Sequence, residues 1–197
     1  MIRIAAILAI AACAPALAQT TAIPIELPTV TPAPGNPATL SAPSLDQLVA
    51  PVALYPDMQL TDILAASTYP AQIVEAWRFA SDPANQGLQA DALAQEAAAH
   101  GWDQSVQALL PFPQILQHLD TDLEWTDRLG QAFLAQPADV LDAVQRLRAR
   151  AMAAGTLYRG PQDDVQNDGG AIAINPPSPQ EIFVPSYDAA CVYGAYA

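Results

Sequence analysis

Five side chains have the type and placement to do chemistry: Tyr55, Asp57, Tyr69, Tyr187 and Asp188. They occur as Tyr55-Pro56-Asp57, Tyr69-Pro70 and Tyr187-Asp188, so each tyrosine stands next to a proline or an acid. A tyrosine joins a large apolar ring to a polar tip, which suits both a helix junction and a recognition groove. A neighbouring carboxylate could accept hydrogen bonds from a ligand. It could act as a general acid or base only if a second acid converged on it in a pocket that raises a pKa. Two readings therefore stand side by side: rings packed at helix junctions with hydroxyls at the rim, or a binding groove.

The remaining reactive residues point to structure. Asp120, Asp122, Glu124 and Asp127 are clustered, but they lack the turn-forming Gly and distal bidentate Glu of a calcium loop. Acids in the first turn of a helix complement its dipole, and that is the expected role. The two histidines, His100 and His118, have no partner at i,i+4, so too few ligands exist for zinc and no metal site is assigned. Cys191 lies in the apolar run Cys191-Val192-Tyr193 and reads as a buried structural thiol, with an intermolecular disulfide as the alternative. Arg146, Arg148 and Arg150 fall near a helix C-terminus, where they would offset the dipole and nearby acids. The sequence carries no glycine-rich phosphate loop, serine elbow or zinc signature, so no catalytic residue and no cofactor is assigned.

The N-terminus sets the expected compartment. Arg3, the apolar run Ile4 to Ala12 and the small-residue site Ala16-Leu17-Ala18 make residues 1–18 a secretory signal peptide. A second reading sets Ile10-Ala11-Ala12-Cys13 beside a lipobox, with Cys13 as a lipidation site. The chain is then periplasmic or secreted in the first case and lipid-anchored in the envelope in the second. Nothing later approaches the roughly 20 apolar residues of a membrane span, so no transmembrane helix is expected. The net charge is −13 and the chain has no lysine. Phosphate backbones would repel it, which excludes nucleic acid and leaves an envelope protein or polymer as the expected partner.

The elements that must position these residues follow from punctuation and periodicity. Six prolines between Pro24 and Pro43 make residues 19–43 an extended linker. A helical domain over 44–156 opens with Ser44 and Gln47 as a capping box. Its next helices run from Asp57 to Thr68 and from Pro70 until Asp82-Pro83. A softer alanine-rich helix over about Leu88 to Ala99 stops at Gly101. Two short pieces split by Pro111 and Pro113 lead to a helix opened by a capping box of Thr121 and Glu124. A last helix runs from Pro137 to Gly155, with Asp142 and Arg146 paired on its outer side. Residues 157–170 read as an acidic loop. Residues 171–197 read as a β-type segment docked on the helices, with strands at Ile172 to Ile174, Glu181 to Val184 and Cys191 to Tyr193. Such short strands must lie on the helical domain or offer an edge to another chain.

A faint internal repeat sets Asp46, Gln47, Val49, Tyr55 and Pro56 against Asp103, Gln104, Val106, Phe112 and Pro113. It also sets Pro70-Ala71, Ile73 and Val74 against Pro137-Ala138, Val140 and Leu141. The predicted fold is mainly α: a compact, pseudo-symmetric multi-helix bundle with a short C-terminal β segment.

Several stretches resemble one known family. They are Leu45-Asp46-Gln47-Leu48-Val49-Ala50-Pro51, Ala53-Leu54-Tyr55-Pro56-Asp57, Ala65-Ala66-Ser67-Thr68-Tyr69-Pro70, Asp142-Ala143-Val144-Gln145-Arg146-Leu147-Arg148, and Phe183-Val184-Pro185 with Tyr187-Asp188. Over about Leu45 to Gly194 the chain resembles domain-of-unknown-function family 3300. The resemblance implies a secreted or lipid-anchored bacterial envelope protein, mostly helical, with no established activity. The chain departs from the pattern at Ala189, where relatives usually carry proline, and it stops soon after Tyr193-Gly194, where many relatives continue into a low-complexity tail. The expected function is that of a non-catalytic binding or structural module of the cell envelope. The alternative is an envelope-polymer hydrolase or modifying enzyme using carboxylates such as Asp57 or Asp188.

Overall fold

The computed structural model describes residues 39–85, 87–88, 90–158, 160, 164–176, 185 and 187–193. The signal-peptide and Cys13 readings, most of the linker, and the strand expected over Glu181 to Val184 lie outside these residues. Among the described residues the chain is mainly helical, with one short antiparallel sheet near its C-terminus.

The first helices follow the proline punctuation. Helix α1 spans Ala42–Val49 and is capped by Ser41, whose Oγ accepts from the Ser44 N–H. The cap therefore sits three residues ahead of the expected Ser44. Pro43 is tolerated in a first turn, where its missing N–H costs nothing, so the helix extends back to the next hydroxyl. After a turn through Pro51 comes α2, Asp57–Ala66, then α3, Pro70–Ser81. Helix α4 covers Ala90–His100 and α5 covers Gln104–Leu109, opened by Asp103, whose carboxylate accepts from the Ser105 N–H. Helix α6 is Pro113–Thr121.

Helix α7, Leu123–Ala135, is capped by Asp122, which accepts from the Trp125 N–H at 2.9 Å. Thr121, the expected cap, instead closes α6 by donating its hydroxyl to the Gln117 carbonyl. Helix α8 runs over Pro137–Ala153. The residues before Pro70, Pro113 and Pro137 share one backbone shape, with φ/ψ of −124/58°, −121/67° and −147/60°. Proline excludes its predecessor from the α region, so each X-Pro pair makes a sharp corner between consecutive helices.

Helix α1 packs on α8, α2 on α5, and α3 on α6. The shared core is built from Leu45, Ile63, Leu64, Ile73, Leu109, Ile115, Leu116, Leu129 and Leu147. Gly130 lets α7 approach the end of α2: a Cβ there would collide with the Ser67 carbonyl. Among the described residues no helix is long and apolar enough to cross a membrane.

The C-terminal region departs from expectation twice. The stretch expected to be an acidic loop contains strand β1, Asp164–Asp168, which pairs antiparallel with β2, Ala171–Asn175. Gly169 and Gly170, both at positive φ, make the two-residue turn between them. Cys191 to Tyr193 was expected as a strand, but Ala189–Val192 form a helical turn, α9. The Asp188 carbonyl accepts from the N–H groups of both Cys191 and Val192, and a pair of alanines permits the tight coil.

Candidate functional site

The best-organised polar region surrounds residues 50–57, the connection between α1 and α2. Prolines at 51 and 56 keep this connection from continuing either helix, so its carbonyls need partners from elsewhere. Arg148 of α8 supplies them from one side. Its Nε donates to the Ala53 carbonyl (2.8 Å), its Nη2 to the Tyr55 carbonyl (2.9 Å) and its Nη1 to the Ile172 carbonyl of β2 (2.8 Å). The same Nη1 binds the Asp57 carboxylate at 2.5 Å. The guanidinium is buried, while the Asp57 side chain is 44 % exposed.

Two tyrosines grip the connection from the other side. Tyr187 donates its hydroxyl to the Ala50 carbonyl at 2.9 Å and accepts from the Leu54 N–H at 3.2 Å. Tyr193 donates to the same Ala50 carbonyl at 2.8 Å, and the two rings meet edge to face. Tyr55 lies in the core beneath them. Burial pushes the Tyr55 phenol up to about 12 and raises that of Tyr187 well above its ordinary value, the latter also through its contact with Tyr193. Both phenols stay protonated through the physiological range and act as hydrogen-bonding tips on packed rings.

The structure thus brings Tyr55, Asp57 and Tyr187 together around one connection. Asp188 is exposed at the start of α9. Tyr69 is separate: it is the corner residue before Pro70, 40 % exposed, with its hydroxyl directed at Asp103. Hydrogen bonds from the Ser105 side chain and backbone, with that from Tyr69, hold the Asp103 carboxyl below its ordinary range.

Three participants are ones that sequence reading placed otherwise or passed over. Arg148 was expected to offset a helix dipole, yet it is 1 % exposed and sits in the core. The signal was present in the spacing, because Val140, Val144, Leu147, Arg148 and Ala151 share one helical face. Arg146 does not use Asp142. It reaches Asp46 of α1, donating through Nε and Nη2 at 2.9 and 2.7 Å, and Arg150 reaches the same carboxylate at 3.3 Å. Asp46 is almost fully buried, so two arginines compensate its charge where Asp142 on the outer face offers only solvent-screened attraction. Tyr193 had no distinguishing signal, since its role depends on α9.

The aromatic–histidine groups lie elsewhere. His100 stacks on Trp102 at 4.3 Å, and the Trp102 indole N–H donates to Glu75. His118 packs edge-on to Trp125, whose indole N–H donates to the Leu48 carbonyl. Burial lowers the His118 pKa, and Asp122 partly opposes this. Among the described residues no group of three or more His, Cys, Asp or Glu is placed to hold a metal ion.

The chain is 35 % identical over 206 residues to the uncharacterized protein YacH of Escherichia coli strain K12, covering 88 % of this chain and 33 % of that relative. It therefore spans about a third of the length of the curated relative it matches. No solved structure matches it. The model of the family described as protein of unknown function DUF3300 matches residues 41–197. The chain belongs to the DUF3300 family.

Proposed function

We propose that this chain is a non-catalytic binding module of a bacterial cell envelope. One observation carries the reading: the acid best placed for chemistry, Asp57, is committed to holding the fold. Its carboxylate takes Arg148 and the Ile174 N–H, and so joins α2, α8 and β2 at one point. A carboxylate engaged by these two donors is spent on joining elements of the fold rather than offered to a substrate. The neighbouring phenols are raised by burial, out of the range useful to a general base near neutral pH. The signal-like sequence of residues 1–18, the absence of lysine and the strong negative charge support an envelope setting and a partner that is not nucleic acid.

The test is crosslinking capture from a bacterial envelope extract with the full chain, against an unrelated protein of similar charge as control. Enrichment of one defined protein or polymer supports the module. Release of soluble fragments from purified envelope polymer by the chain, abolished in Asp57→Asn, would overturn it in favour of a hydrolase. Point variants are required here, because removing residues 171–197 would also remove the Ile172 carbonyl that Arg148 binds.

A further inference from the structure

The two edges of the small sheet are treated differently. On the side of β2 that faces away from β1, side chains take the place of a neighbouring strand. The Gln145 amide accepts from the Ile172 N–H at 2.8 Å and donates to the Ile172 carbonyl at 3.2 Å, as a peptide unit would. Arg148 also donates to that carbonyl, and Asp57 accepts from the Ile174 N–H at 3.4 Å. This edge is closed.

The backbone groups of Ile172 and Ile174 are thus spent away from β1. Antiparallel ladders alternate, so Ala171, Ala173 and Asn175 face β1. The register pairs Val165 with Ile174 and Asn167 with Ile172. The N–H and C=O groups of Val165 and Asn167 must therefore point outward, on the far side of β1. No described side chain closes them as Gln145 and Asp57 close β2. The Val165 side chain is buried against the core, while Gln166 and Asn167 are exposed. A strand held in place by its inner face, with an outward row of unspent backbone groups, is a template for another strand.

We infer that the outer edge of β1 is a strand-addition site for an extended, lysine- or arginine-bearing segment of a partner protein. This rests on the binding-module reading and names the surface and the partner's chemistry. Charge selects the occupant. Strand β1, Asp164-Val165-Gln166-Asn167-Asp168, holds two acids and no cation. A second copy would bring two such acidic runs together, in chains that each carry −13 and no lysine. A basic strand meets opposite charge and is steered toward the surface.

The experiment follows amide hydrogen exchange in the full chain with and without a short peptide alternating Lys and Val. A peptide alternating Glu and Val is the control. In the free chain the Val165 and Asn167 amides exchange fast and the Gln166 amide slowly. The basic peptide slows Val165 and Asn167 by roughly fivefold or more, the factor that one net hydrogen bond supplies, and the acidic peptide does not. Asn167→Pro removes the outward donor without touching the β1–β2 ladder, as proline does at a strand edge, and it abolishes the effect. Asn167→Ala keeps the donor and the effect, although it loses the bond to the Gly170 N–H.

Protection by both peptides, protection confined to another surface, no protection, or a concentration-dependent dimer through β1 would each overturn the inference. Capture of one envelope partner equally by the wild-type chain and by Asn167→Pro would overturn it while leaving the binding module in place. Fragment release from envelope polymer would remove the module reading instead.

Discussion

Arg148 and Asp57 meet at 2.5 Å across 91 residues of sequence, and this one contact ties the α1–α2 connection, the last long helix and the C-terminal sheet together. The arginine is buried and its partner half-exposed. The ion pair itself is therefore partly screened, and much of the arginine's contribution lies in the carbonyls it satisfies.

Arg148→Met keeps the apolar stem and leaves the Ala53, Tyr55 and Ile172 carbonyls without this donor. The expected loss is about 3–5 kcal/mol of unfolding free energy, read from the urea midpoint at constant m. Asp57→Asn keeps an acceptor beside the guanidinium and should cost less. A loss below about 1 kcal/mol for Arg148→Met would show that water replaces the guanidinium at these carbonyls.

Tyr187 and Tyr193 share the Ala50 carbonyl, so their substitutions should not add. Tyr193→Phe leaves Tyr187 on that oxygen and costs about 1 kcal/mol, while the double change to Phe leaves the oxygen with neither donor and exceeds the sum of the singles. A double-mutant cycle measured by denaturation checks this. Strict additivity would mean that the two hydroxyls act independently.

The Gln59 Oε1 is buried and has no hydrogen-bond partner among the described residues, an arrangement that costs about 1–3 kcal/mol. Gln59→Met, similar in volume and equally compatible with a helix, should raise the melting temperature. A lower melting temperature would show that the amide makes a contact in solution that offsets its burial.

His118 gives a pH dependence with a defined sign. Burial lowers its folded pKa, so the unfolded chain binds the proton more tightly. The stability tied to neutral His118 is complete above the unfolded pKa of about 6.5. It is lost as pH falls from there toward the lowered folded value. Replacing the residue by Gln should flatten the stability curve in that window and leave it unchanged above. Asp62 runs the other way: burial raises its folded pKa, so its charged form is disfavoured in the fold. Asp62→Asn should stabilise at neutral pH and lose that advantage as the medium becomes acidic enough to protonate the wild-type carboxyl.

Much of the helical framework could be read from local signals because those signals are local in origin. Prolines at 70, 113 and 137 set helix starts through their own φ and their predecessors' exclusion from the α region. The stripes Ile73 with Ala76, and Val140, Val144 and Leu147, are buried as their spacing requires. Caps were legible only to within a few residues, since Ser41 competes with Ser44 and Asp122 with Thr121, and a nearby hydroxyl or carboxylate on either side serves equally well.

By itself the sequence determined the helix boundaries set by proline, the mainly α class, the apolar faces and the strong negative charge, each of which depends on residues a few positions apart. Tertiary structure alone decided which charges are spent on the fold. Asp46 draws in Arg146 and Arg150 from about 100 residues away. Arg148 leaves solvent for three carbonyls, and two tyrosines from the C-terminal segment converge on Ala50. The same holds for the sheet, where Gln145 and Asp57 close one edge and β1 keeps the other. The physical reason is common to all of these. A buried polar group must find a partner, and which partner lies within 3 Å or so is set by how the helices cross, a relation no local window of residues contains.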